Sequence, residues 1–226
     1  MRVAIAGGHG KIALRLGRLL AGRGDEVVGL VRQRAHVRDL RGAGIDAVVL
    51  DLEDATVDAV AKELEGTDAV VFAAGAGPGS GIPRKDTVDR AAAVLLADAA
   101  ERAGVRRYVQ VSSVGVERVR QESAPDGVTE VFAAYLRAKL EAEDDLRARP
   151  GLEWTILRPV HLTDDPGTGQ VELGTDVGAG KVSRDDVAAV LLALLDRPET
   201  AGLTLEVRAG DVPVAEAVAA VVTRVR

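Results

Sequence analysis

The chain has 226 residues, and 47% of them are apolar, enough to bury one sizeable core. Its 29 Lys and Arg are outnumbered by 35 Asp and Glu, and the resulting net charge of −6 argues against a general nucleic-acid or anionic-membrane binder. There is no cysteine, which excludes disulfides, thiolate metal sites and cysteine nucleophiles.

Met1-Arg2-Val3-Ala4-Ile5-Ala6 predicts a buried strand that runs into Gly7-Gly8-His9-Gly10-Lys11-Ile12-Ala13, a glycine-rich turn opening a helix. That order suits a dinucleotide pyrophosphate. Gly7 can adopt a backbone conformation closed to other residues, and Gly10 has no side chain to keep a diphosphate from the first amides of the helix, at Lys11 and Ile12. Ala13 is small enough to let helix and strand pack closely. The turn follows a strand and precedes an amphipathic helix carrying Ile12, Leu14, Leu16, Leu19 and Leu20, the context such a motif requires. His9 either bonds the pyrophosphate or merely fills the turn.

Gly22 and Gly24 stop this helix, and Glu26–Val31 reads as the second strand. An acidic residue at its exit would hold the ribose hydroxyls of NAD, whereas arginine attracts the 2′-phosphate of NADP. Arg32 stands there with Arg34 close behind, which favours NADP. Asp46–Leu50 is a third strand, followed by Asp51 and Leu52, which could meet the adenine amino group and ring face; Asp51 could equally cap the next turn. Strand four is Ala69–Phe72, and Ala73-Ala74-Gly75 after it has almost no side chain, as a strand edge lying against a cofactor needs. Residues 75–83 hold four glycines and two prolines and read as the irregular rim of a cleft.

A helix is predicted from Thr87 to Ala103, its buried face built from Val88, Ala91, Ala92, Leu95, Leu96 and Ala99, with Asp89 on or near that face. Strand five, Arg107–Ser112, carries Ser112-Ser113 at its carboxyl end, the side on which doubly wound sheets bind ligands. Residues 116–130 read as a surface loop, Val131–Arg147 as a helix, and Glu153–Arg158 as strand six, ending at Pro159. Beyond lie brief strand-like pieces, a helix through Val187–Leu195 preceded by capping-box spacing at Ser183 and Asp186, a strand at Leu203–Val207 and a closing helix over Pro213–Val222. The alternation predicts an α/β fold: a doubly wound parallel sheet in three α/β/α layers. Residues 1–226 are expected to form one domain, with 160–226 as a small extension on the substrate side.

Tyr135 and Lys139 are four apart on one helix face. In general an ammonium beside a phenol, whose ordinary pKa is about 10, favours its ionised form and suits it to proton transfer. Ser113, with Ser112 in second place, would hold a substrate carbonyl oxygen beside the tyrosine.

Together these features resemble the short-chain dehydrogenase/reductase family over essentially the whole chain: the Gly7–Ala13 turn, Asp51-Leu52, Ala73-Ala74-Gly75, Val111-Ser112-Ser113, Tyr135 to Lys139, and Leu157-Arg158-Pro159. The likeness is to the small atypical branch, often described as NAD(P)-binding or epimerase-like proteins. It implies a Rossmann fold, NADP as cofactor, and Ser113, Tyr135 and Lys139 as catalytic positions, with Lys139 also bonding the nicotinamide ribose. It implies backbone contacts to the nicotinamide at Pro159, Val160 and His161, and His161 could line the acceptor pocket or supply a proton. Two departures stand out. Asp89 fills what the resemblance makes an asparagine position, and the long carboxyl-terminal substrate domain of extended members is missing.

The expected activity is NADP-dependent hydride transfer to a small or flat acceptor: a carbonyl, quinone or flavin. Two alternatives are an NADP(H)-binding regulator or scaffold without orthodox chemistry and, ranked last, a sugar epimerase or dehydratase. No metal site is expected, since the acid pairs and three histidines lack ligand spacing. Scarce aromatics argue against single-stranded nucleic acid, and the longest apolar run is too short for a bilayer. A cytoplasmic monomer or homodimer is the expectation.

Overall fold

The computed structural model describes residues 1–77, 79–121 and 127–224. Pro78 of the glycine-rich loop and residues 122–126 of the expected surface loop lie outside them. The strands are β1 (Arg2–Ala6), β2 (Glu26–Val31), β3 (Asp46–Val49), β4 (Ala69–Phe72), β5 (Arg107–Val111), β6 (Glu153–Pro159), β7 (His161–Thr163), β8 (Gln170–Gly174), β9 (Lys181–Ser183), β10 (Leu203–Ala209) and β11 (Val212–Pro213). The main sheet has the order β11-β8-β10-β6-β5-β4-β1-β2-β3; β8 pairs antiparallel with β10 and β11, and all other neighbours are parallel. This is the doubly wound Rossmann arrangement expected from the alternation, with helices on both faces.

Strand residues divide between the two faces by alternation. Val3, Ile5, Ala69, Val71 and Val109 join one apolar cluster, Ala4, Ala6, Val70, Phe72 and Tyr108 the other. The first face is covered by α1 (Lys11–Gly22), α2 (Val37–Gly42), α8 (Arg184–Leu195) and α9 (Val214–Arg224). The second is covered by α3 (Val57–Glu63), α5 (Ala92–Ala103) and α7 (Glu130–Arg147). Apolar strand residues are buried on both sides because both faces carry helices.

Residues 160–226 supply β10, which extends the parallel sheet beside β6, and α8, which packs on α1. Ser183 caps α8 by accepting the Asp186 amide at 2.9 Å. The buried Arg107 guanidinium ties this part to the sheet, donating to the carbonyls of Glu153 (2.8 Å) and Leu194 (2.7 Å) and to the hydroxyls of Thr155 (2.8 Å) and Thr200 (3.0 Å). Burial pulls its pKa down to about 10, so it remains a cation at neutral pH. Among the described residues no helix is long and apolar enough to cross a membrane, and no His, Asp and Glu cluster could hold a metal ion.

Two expectations need correction. Helix formation begins five residues before Thr87: Pro83 starts a short helical turn, α4 (Ile82–Arg84), and a π-helical stretch, Lys85–Ala91, joins it to α5. Proline's fixed φ suits a first helical turn, and the wide turn packs on α7. Within the expected loop 116–130, Arg118–Gln121 forms α6, because Val116 and Val119 bury themselves against Ala133, Leu136 and Leu140.

The approach of α1 to the sheet rests on Gly17, where an added Cβ would come within 2.2 Å of Ile45 Cδ1. Gly17→Ala is expected to destabilise the chain by about 1–3 kcal/mol through overpacking, read from the urea unfolding midpoint; an unchanged midpoint would contradict this packing.

Candidate functional site

The sheet order reverses direction between β1 and β4, and a cleft opens there at the carboxyl ends of the strands, as such a switch point requires. Its volume is about 340 Å³, within the range of small-ligand pockets. Gly7 sits at its floor with φ +76°, and a Cβ there would stand 2.6 Å from Ala74 Cα. Only glycine combines that backbone angle with that closeness. Gly10 is the N-cap of α1 and donates its own amide to the Gly7 carbonyl at 2.7 Å. No side chain caps the helix and no acidic residue lies in its first turn, so its amino end keeps free N–H groups of the kind that bind phosphate.

Of the residues singled out in the sequence, Gly7, His9, Gly10, Arg32, Asp51 and Leu52 line this cleft, as do Ala73, Ala74 and Gly75. Gly8 does not: it packs against Gly29 and donates to the Leu30 carbonyl at 3.0 Å, seating the turn on β2. The Lys11 ammonium turns away to Asp164, and Ile12 packs on the core, which leaves their backbone amides as what they offer. His9 bonds Asp39 at 2.9 Å and stacks on His36, ring centroids 3.8 Å apart. His36, which has no role in the sequence-based expectation, thereby becomes part of the cleft wall; burial and the neighbouring His9 hold its pKa below the ordinary imidazole value.

At the outer end Asp51 closes its own turn, accepting the Glu53 amide at 3.0 Å, the capping alternative for that residue. Arg32 donates to Glu53 at 3.2 Å, and Arg84 donates to the same Glu53 oxygen at 2.7 Å. The other Glu53 oxygen accepts the Thr87 hydroxyl at 2.6 Å. That hydrogen bond and the two guanidiniums keep the Glu53 carboxyl below the usual glutamate range, so it is ionised at neutral pH.

Towards α7 lies the second group. Lys139 is buried, and its ammonium lies 3.3 Å from Asp89 Oδ1, which is itself fully buried. The ammonium also donates to the carbonyls of Ala74 (3.2 Å) and Val111 (3.4 Å), bridging the exits of β4 and β5. Its distance to the Tyr135 ring centroid is 6.0 Å. Asp89 accepts the Ala76 amide at 3.1 Å, so the acid at the expected asparagine position fixes the chain leaving β4. Ser113 is half-buried and donates to the Val114 carbonyl at 3.1 Å, whereas the Ser112 hydroxyl is buried with no partner among the described residues. Pro159, Val160 and His161 do not line the cleft. The Pro159 carbonyl accepts the Val114 amide at 3.2 Å, the Val160 amide is spent on Val207 at 3.1 Å, and His161 is exposed at the start of β7.

The sequence reading missed Glu53, Arg84, Thr87 and Lys85. Lys85 is buried in the π-helical stretch, donates to the Gly77 carbonyl at 3.0 Å and lies 5.6 Å from the Tyr135 ring centroid. Glu53 directly follows Asp51-Leu52 and could have been noticed there; the other three depend on the wide helical turn, which leaves no mark in the sequence.

A glycine cradle and an uncapped helix start are what the diphosphate of a nicotinamide dinucleotide needs. Residues 7–198 match the family model described as NAD(P)H-binding. The chain is 34% identical over 218 residues to a Bacillus subtilis protein named uncharacterized sugar epimerase YhfK, covering 96% of this chain and 98% of that one. Among solved structures, a Bacillus halodurans protein provisionally named an NAD-dependent epimerase/dehydratase has a TM-score of 0.88 and 36% identity, covering 98% of this chain and 100% of that one. The Lactococcus lactis protein named oxidoreductase ylbE has a TM-score of 0.85 and 25% identity, covering 99% and 97%. The resemblance seen in the sequence thus holds at the level of an NAD(P)-binding Rossmann fold, and the chain belongs to the NAD(P)H-binding family.

Proposed function

We propose that the chain is an NADP-dependent oxidoreductase that transfers hydride to a small or flat acceptor: a carbonyl, quinone or flavin. The observation that carries this reading is the single cleft in which the Gly7–Gly10 cradle continues outward to Arg32. A bound dinucleotide would supply the hydride. The amides at the start of α1 would hold its diphosphate, and Ala73-Ala74-Gly75, bare of side chains, would let it lie along the exit of β4. Arg32 would hold a 2′-phosphate. Ser113 orients the acceptor oxygen, Tyr135 gives that oxygen a proton, and Lys139 positions the strand exits beside the tyrosine. The chain works as one domain, with residues 160–226 on the acceptor side. The residues that line the cleft all lie between Gly7 and Ala92, so the described residues after β6 do not roof it, which favours a small or flat acceptor over a nucleotide sugar.

One observation favours a second reading, a dinucleotide-binding regulator: Lys139 is already paired with Asp89 and Ser113 with its neighbour's carbonyl. Hydride transfer separates the two. NADPH oxidation is to be followed at 340 nm with a panel of carbonyls, quinones, flavins and nucleotide sugars. Tyr135→Phe is expected to lower kcat by about 100-fold or more, the scale of one general acid, while NADPH affinity stays within about two-fold. Epimerisation returns its hydride and leaves NADPH unchanged, so the nucleotide sugars are also followed by NMR: isomerisation there would transfer the reading to an epimerase, the activity named for the Bacillus subtilis relative, and silence in both assays would transfer it to the regulator. Arg32→Ala is expected to weaken NADPH binding by about 1–3 kcal/mol, one charge-assisted hydrogen bond, and to leave NADH nearly unchanged; equal losses for both would remove the basis for NADP.

A further inference from the structure

Arg32 does not act alone at the outer end of the cleft. It shares one oxygen of Glu53 with Arg84, at 3.2 and 2.7 Å, so two guanidiniums from distant parts of the chain converge on one point. Each presents five N–H donors, and most of these remain for another acceptor. The arginine side chains are 42% and 39% exposed, free enough to turn, whereas Glu53 is 23% exposed and anchored by Thr87 at 2.6 Å. The carboxylate is therefore the fixed member of the trio and the cations are the movable ones.

We propose that Arg84 is a second guanidinium for the 2′-phosphate, and that Glu53 is the carboxylate with which that phosphate competes, so that these three side chains set the ratio of affinities for NADPH and NADH. The proposal rests on the NADP reading above and deepens it. Within the trio two guanidiniums and one carboxylate leave a single net positive charge, with the Asp51 carboxylate at the same end of the cleft, to meet a phosphate that carries about −1.5 to −2 at neutral pH. Binding it requires the arginines to swing off Glu53, and the carboxylate then repels the incoming anion. A dinucleotide without the phosphate brings only ribose hydroxyls, which donate to Glu53 and lose nothing to it. Glu53 thus favours NADH, and the arginines favour NADPH. If the trio were only a surface ion-pair cluster, its removal would leave the ratio untouched, since exposed pairs contribute little and carry no preference between the dinucleotides.

The test is a fluorescence titration of the full chain and of Arg84→Ala and Glu53→Gln with NADPH and with NADH, alongside unfolding midpoints to show that each variant is folded. Arg84→Ala is expected to lower the ratio Kd(NADH)/Kd(NADPH) by about five-fold or more, the low end for one charge-assisted hydrogen bond, by weakening NADPH. Glu53→Gln, which keeps the side chain's shape, is expected to raise the same ratio by about five-fold or more, tightening NADPH and weakening NADH. Parallel losses for both dinucleotides in Arg84→Ala, or an unchanged or lowered ratio in Glu53→Gln, would overturn the proposal and leave the oxidoreductase reading standing. If the unaltered chain bound neither dinucleotide, both would fall together, an outcome visible before any variant is made.

Discussion

Where β1 ends, its backbone must pass within contact distance of the backbone leaving β4, and the rest of the site depends on that approach. Gly7 meets Ala74 with no room for a side chain, and the turn it starts delivers Gly10 to the head of α1. The same Ala74 supplies a carbonyl to Lys139. One close contact therefore sets the height of the helix's bare amides above the sheet and the level at which the buried ammonium sits. Burying the ammonium with no countercharge would cost several kcal/mol, and Asp89 supplies that countercharge from the neighbouring helix.

Most of the fold could be read from the sequence because its signals are local. Apolar runs such as Val3–Ala6 and Ala69–Phe72 are what strands covered on both faces look like, and the Gly7–Ala13 turn announces itself by residue type. Tyr135 and Lys139 could be paired by helical spacing alone. What Lys139 touches could not be paired in that way. Its partner Asp89 comes from a different helix, presented by a wide turn that packs against α7. The same holds for Glu53 and Arg84, 31 positions apart and joined only when the helix after β4 folds back over the loop after β3. Asp51 was ambiguous in the sequence because a carboxylate after a strand serves a turn as readily as a ligand, and its oxygen bonds the Glu53 amide.

The outer end of the cleft and the group around Tyr135 and Lys139 draw on one stretch of chain. Arg84 and Thr87 face Glu53 at the outer end, while Lys85 and Asp89 reach toward Tyr135 and Lys139.

The π-helical stretch Lys85–Ala91, which carries Lys85, Thr87 and Asp89, amounts to one surplus residue in a helical path. Deleting a single position there would restore regular winding and rotate everything upstream by about 100° about the axis, the angle each residue subtends in an α-helix. Arg84 would leave the cleft in the same movement that displaced Lys85. One inserted position thus keeps the outer end of the cleft and the Tyr135 and Lys139 group in phase.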